Sequence, residues 1–398
     1  MSRTFLLVTG FLLLFAAEIL RVYFIMPFPG SQQANTIDIA YFINKNIFWI
    51  RALGLLIVIF PLISVFNKRG LWRKLLLSGV VLVYLMIFYL FNFKFLADKM
   101  FYQPKNKSLV SVAANVIDTN QLVIGSFINN EAKAYPIQLI GYHHQVQDTI
   151  GGEPVLVTYC TVCRTGAIYS PFINKIYQHF RLVGMDHFNA MFEDENTKSW
   201  WRQVTGEAIA GPLKGNNLKE LPSSQMRLGA WIRQYPNTLI LQPDTLFNLE
   251  YDDLKGYDSG TIKGSLEKRD SASWKMKSWV VGITQNGNSK VYDWNDLEKE
   301  RLINDTMHGI PVLVILENDS TTFHAFDRTV NNQALKFIWN DSLKTLEDIN
   351  TRSFWKSNGA CFDGPLKNTV LNPVSSYQQF WHSWQTFHPN SVAYTPKK

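Results

Sequence analysis

Apolar residues gather into three long runs at the start of the chain and then break into short segments. Phe5 to Met26 is nearly unbroken, interrupted by Glu18 and Arg21; Ile47 to Phe66 carries Arg51 near its start and Pro61 near its end; Leu75 to Phe93 is the third. Each approaches the ~20 residues a helix needs to cross ~30 Å of hydrocarbon, and backbone groups in lipid are satisfied within a helix. The pattern predicts three transmembrane helices. The first run lacks a small-x-small cleavage site and continues into Arg21, Val22, Tyr23 and Phe24, so it reads as an uncleaved helix. Glu18 and Arg21 share a helix face at i,i+3 and are expected to neutralise one another. The loop Asn67 to Lys74 carries four basic residues and no acid. Short basic loops stay in the cytoplasm, which puts the N-terminus inside and everything after Phe93 outside, in the periplasm.

From about Gln121 the pattern changes to strand-length apolar segments bounded by turn residues, with a few helices between. Pro136 to His144 is one expected helix, with Pro at its start. The order then recurs. Gly125, Tyr135, Asp148 and Pro154 match Gly282, Tyr292, Asp305 and Pro311 at a shift of 157 positions. Trp201, Gly211-Pro212-Leu213-Lys214 and Trp231 match Trp355, Gly364-Pro365-Leu366-Lys367 and Trp384 at shifts of 153 or 154. An ordered series at nearly constant shift predicts a tandem duplication. The expected class is α+β and β-rich: one β-rich unit duplicated behind three N-terminal transmembrane helices. The expected parts are an anchor over 1–97, copy one over 98–243, a polar linker over 244–277 and a degenerate copy two over 278–398. Residues kept in both copies, the tryptophans above all, read as scaffold.

Hydrophobic residues make up 46% of the 398 and charged ones 18%. That excludes disorder, which needs low hydrophobicity and high charge. Three cysteines are too few for a disulfide-stapled scaffold. The net charge of +7 is spread along the chain except for the 67–74 loop, so the expected partners are the lipid bilayer and envelope proteins, with no nucleic acid. Walker, dinucleotide and HExxH motifs are absent from the sequence.

Chemistry is sought in what one copy alone carries. Copy one holds Cys160-Thr161-Val162-Cys163-Arg164, where copy two has Glu317-Asn318-Asp319-Ser320-Thr321. His143 and His144 lie upstream; Met185, His187 and Met191 lie downstream. The residues after Cys163 read as a strand, so the pair sits on a strand-turn-strand tip, where two sulfurs can share one ion and imidazoles complete the shell. Soft thiolate with imidazole suits copper or zinc. The expected ligands are Cys160, Cys163 and His143, with His187 or Met191 as fourth. Two alternatives stand beside the metal: a thiol-disulfide oxidoreductase, and a scaffolding module with the cysteines as a structural disulfide. In either thiolate reading Arg164 favours the ionised sulfur. Glu193-Asp194-Glu195 reads as a solvated loop, Glu207 as an acid or base with nothing to place it, and Cys361 as a buried small hydrophobe. Whether the chain is an enzyme stays open.

These residues resemble a bacterial and archaeal family, domain of unknown function 3179. The resemblance rests on His143, Asp148-Thr149, Gly151-Gly152, Thr158-Tyr159-Cys160, Cys163 and Thr165. It continues through Trp201, Gln203, Thr205-Gly206-Glu207-Ala208, Gly211-Pro212-Leu213, Trp231 and Pro236-Asn237-Thr238-Leu239. It covers copy one strongly, copy two weakly and the first hundred residues not at all, and it implies no activity. The family pattern carries an acid where His144 stands and a glycine where Arg164 stands, which supports His143 over His144.

Overall fold

A computed structural model describes residues 2–396 apart from positions 69, 341 and 344; Arg69 of the basic loop is therefore outside the described residues. The chain packs as two compact units, residues 1–102 with 171–218 and residues 103–170 with 219–398. This division cuts through the stretch 98–243 that the repeat suggested as one unit.

The first unit holds helices α1 (Arg3–Tyr23), α2 (Ile37–Lys68) and α3 (Leu71–Phe93). All three are long and apolar enough to cross a membrane. α2 starts well before Ile47 and is 32 residues long, about 48 Å at ~1.5 Å per residue. Its first turns, which precede the polar stretch Asn44-Lys45-Asn46, are held by side chains: Asp38 accepts from Lys214 Nζ at 2.7 Å, and the Tyr41 ring meets Trp200 edge-on at 5.1 Å. α1 and α2 approach closely at Gly54, where a Cβ would strike the Leu14 side chain.

The expected Glu18–Arg21 pair does not form. Glu18 is fully buried and takes Arg51 of α2 in a bidentate pair at 2.6 and 2.7 Å, with Asn92 of α3 donating at 2.8 Å. Arg21 donates instead to Asn44 at 3.2 Å and to Asn92. A guanidinium arriving from a facing helix can present its fork to the carboxylate, which the i,i+3 neighbour cannot do as well.

The same unit contains a four-stranded antiparallel sheet in the order Ala208–Ala210, Trp200–Arg202, Asn189–Asp194, Phe180–Asp186. Glu193 and Asp194 are not on a solvated loop. They end a strand, are buried, and accept from the indoles of Trp200 and Trp201 at 2.9 Å each. Indole N–H groups in a core need such acceptors.

In the second unit, Leu122–Ile128 lies between Ser224–Arg227 and Glu131–Pro136, with Leu239–Leu241 parallel beyond. Trp279–Gln285 lies in the same way between Ser375–Phe380 and Asn288–Asp293, with Val392–Ala393 parallel beyond. Each arrangement has one glycine under one tryptophan: a Cβ on Gly125 would enter the Trp231 ring, and one on Gly282 the Trp384 ring. Gln225 and Gln378, on the corresponding outer strands, touch at 2.6 Å. The expected helix is Ile137–His143, after Pro136. The segment 244–277 forms the helix Asn248–Asp253 and buries Phe247, Tyr251 and Tyr257.

Candidate functional site

The strand Glu153–Cys160 pairs with Thr165–Tyr169 in antiparallel register, Cys160 opposite Thr165. The residues between them form the tip that the sequence suggested. Arg164 N donates back to Thr161 O at 3.3 Å, and Arg164 has φ 55°. That is left-handed backbone, which favours glycine. Cys160 and Cys163 are both fully buried.

Arg164 is buried with them, and its charge is met on every side. Nη1 donates to Tyr257 O, Nη2 to Asp258 O and Nε to Gln378 Oε1, each at 3.0 Å. The guanidinium also lies 3.8 Å from the Trp279 ring centroid. These bonds to charged nitrogen compensate the loss of hydration. Tyr257 donates to Thr161 O at 2.9 Å and contacts the Tyr159 hydroxyl at 3.2 Å.

On the turn itself sits a second cation. Lys277 Nζ is 2.8 Å from Val162 O, the carbonyl between the two cysteines, and 3.2 Å from His382 Nε2. Phe380 lies beneath the ammonium at 4.6 Å, and its own N–H donates to Cys163 O at 2.9 Å. Burial lowers the Lys277 pKa, while the charges of Cys163 and Cys160 act in the opposite direction. His382 is pushed down to about 4 by burial first and by Lys277 second, so it is neutral at pH 7. His382 Nε2 also lies 3.1 Å from Val162 O, so Lys277 and His382 meet at the same carbonyl.

The histidines chosen from the sequence are placed differently. His143 ends its helix with Nε2 at 2.7 Å from the Tyr251 hydroxyl. His144 follows at φ 60°, with burial pushing its pKa down to about 4. His187 belongs to the other unit, on a hairpin turn, with Nδ1 at 2.8 Å from Asp186, which also holds Arg202 at 2.7 Å. Met185 and Met191 are buried in that unit's sheet, and Glu207 pairs with Arg202 at 3.0 Å. Among the described residues no three His, Cys, Asp or Glu side chains gather as a metal set.

Lys277, Gln378 and His382 were missed from the sequence, since they lie more than a hundred positions from the cysteines. One signal was available for His382: at the 153-position shift its counterpart is Gly229, so it too is carried by one half alone.

A family model described as protein of unknown function, DUF3179, matches residues 102–391. No curated protein and no solved structure matches the chain.

Proposed function

The chain belongs to the DUF3179 family, whose description assigns no activity, and from the geometry of its cysteine turn we propose a membrane-anchored dithiol–disulfide protein acting through Cys160 and Cys163. The observation that carries this reading is the Lys277 ammonium on the Val162 carbonyl, held by His382. A cation beside a thiol favours the thiolate, and a half-buried cation such as Lys277 is screened less than an exposed one. One thiolate attacks a sulfur of a partner's disulfide, forming a mixed disulfide and releasing the partner's first thiolate. The second cysteine gives up its proton and attacks that mixed disulfide, closing the Cys160–Cys163 bond and releasing the partner's second thiolate. Two electrons pass to the partner. Both sulfurs are closed to solvent, so exchange proceeds through local opening of the turn.

A copper or zinc site from Cys160, Cys163, His143 and His187 has less support. Tyr251 engages His143, and no third donor of those types joins the thiols among the described residues. The rest of the reading places the N-terminus in the cytoplasm and the β-rich region outside, on the strength of the basic 67–74 loop. An oxidising compartment suits such a couple. The matching sheet orders and the Gly–Trp pairs support descent of the β-rich region from one duplicated unit.

The test is a redox titration of the full chain in detergent, read by thiol count and beside elemental analysis. The expected result is one two-electron couple, lost in Cys160→Ser and in Cys163→Ser. Thiols that stay reduced throughout, or about one copper or zinc per chain that disappears in the double variant, would overturn the proposal.

A further inference from the structure

Arg3 Nη1 donates to Ser64 Oγ at 2.7 Å, which sets α1 and α2 level with one another at one end of the three helices. Arg21 and Asn44 lie about 27 and 30 Å from that contact along their helices, at ~1.5 Å per residue, and Asn92 lies about as far from the start of α3. That distance matches the ~30 Å of a hydrocarbon core, so the layer where the three side chains meet lies at the far boundary of the membrane. Exposed aromatic residues mark both boundaries: Trp49 and Tyr89 lie beside this layer, and Trp72 lies at the opposite end, as interfacial belts do.

The charges of this layer do not cancel. Glu18 is the only acid of α1, and Arg51 takes both of its oxygens at 2.6 and 2.7 Å. Arg21 is left with neutral partners, Asn44 Oδ1 at 3.2 Å and Asn92 Oδ1, and has no ion pair among the described residues. Asn92 brings no charge, and its own groups are shared: Oδ1 also accepts from Arg51 at 2.7 Å, and the amide donates to Glu18 at 2.8 Å. Two further charged side chains are near enough to act on Arg21, namely Arg181 and Asp98. Asp98 lies 3.6 Å from Arg181 and 4.0 Å from Lys99, and Arg181 pairs with Glu193 at 2.9 Å. Arg21, Arg51, Lys99 and Arg181 thus face Glu18, Asp98 and Glu193, and the surplus positive charge falls on half-buried Arg21. An unpaired charge at the edge of hydrocarbon is costly, and charges kept in such places mark binding sites.

The asparagines engage Nε and Nη1 of Arg21, and a guanidinium has further N–H groups in the same fork, which bind anionic oxygen best. The oxyanion found at this depth in a bilayer is the lipid phosphate. One surplus positive charge matches a headgroup of one net negative charge. A choline or ethanolamine headgroup would instead bring an ammonium to a place that already holds Arg51 and Lys99. We infer that Arg21, oriented by Asn44 and Asn92, binds the phosphate of an anionic phospholipid in the leaflet at this end of the helices. The site rests on the membrane-spanning reading of the three helices and is independent of the thiol reading.

The experiment is native mass spectrometry of the full chain in detergent, titrated with dioleoyl phosphatidylglycerol or dioleoyl phosphatidylcholine, with inorganic phosphate as competitor. The expected result is one phosphatidylglycerol bound about ten-fold more tightly than phosphatidylcholine, the effect of one hydrogen bond to a charged group. Arg21→Gln should abolish that preference, while Lys74→Gln, at the opposite end of the helices, keeps it. Excess inorganic phosphate should leave the lipid bound. Equal affinity for the two lipids, an unchanged preference in Arg21→Gln, or an equal loss in Lys74→Gln would overturn the inference. Displacement of the lipid by inorganic phosphate would overturn it too, by making the ligand a free oxyanion. The comparison of the two lipids needs only the parental chain, so it decides the matter even where Arg21→Gln does not fold.

Discussion

Arg164 shows how one residue can be unfavourable for its own backbone and favourable for the fold. Its φ of 55° costs a non-glycine residue roughly 1–2 kcal/mol. Three hydrogen bonds at 3.0 Å and the Trp279 ring offset that strain, since bonds to charged groups each contribute about 1.5–3 kcal/mol. The buried histidines have a consequence for pH. His144 and His382 sit at about 4 in the folded chain, against ~6.5 when unfolded. Between those values the unfolded chain binds more protons, so stability rises with pH through that window, is complete above ~6.5, and is lost as pH falls toward 4. The thermal midpoint of the full chain is expected to drop between about pH 7 and 4.5, and His382→Gln should drop less steeply. Equal slopes for variant and parent would remove His382 from this account.

Among the elements, the three long helices are joined by a polar network as well as by apolar packing. Glu18 is completely enclosed and depends on Arg51 and Asn92. Removing one partner of a buried pair costs about 3–5 kcal/mol because the other is left uncompensated, whereas replacing both with apolar residues is often neutral. Glu18→Leu and Arg51→Leu should each lower the unfolding midpoint in detergent, and the double variant should recover most of the loss. Additive losses in the double-mutant cycle would show that the two do not act as a pair. The extension of α2 to Ile37 belongs to this scale too. Hydropathy marked only the run beyond Asn44-Lys45-Asn46, and the Asp38–Lys214 and Tyr41–Trp200 contacts hold the turns before it.

For the molecule as a whole, orientation across the bilayer decides whether a dithiol couple meets an oxidising or a reducing solvent. An alkaline-phosphatase fusion after the last residue should be active and one placed in the 67–74 loop inactive, since that enzyme needs an oxidising compartment for its disulfides. The reverse pattern would put the β-rich region in the cytoplasm and leave the couple without its oxidant. Within the second unit, Gln225 and Gln378 stand at corresponding places on corresponding strands and touch each other.

Sequence alone determined what depends on local periodicity and on composition. The three apolar runs announced three helices because the length of an apolar run is set by the hydrocarbon thickness a helix must cross. The turn residues around Cys160–Cys163 announced a strand-turn-strand tip because hairpins are closed by near neighbours. The glycines and tryptophans shared by both halves announced scaffold, and Gly125 under Trp231 gives the reason. Tertiary structure alone decided which groups face one another across long separations. It set Lys277 and His382 on the cysteine turn, gave His143 to Tyr251, and turned Glu18 from Arg21 to Arg51. Side chains that meet through packing leave no fixed spacing in the chain, and burial, which moves pKa values and demands partners for polar atoms, exists only once the chain has folded.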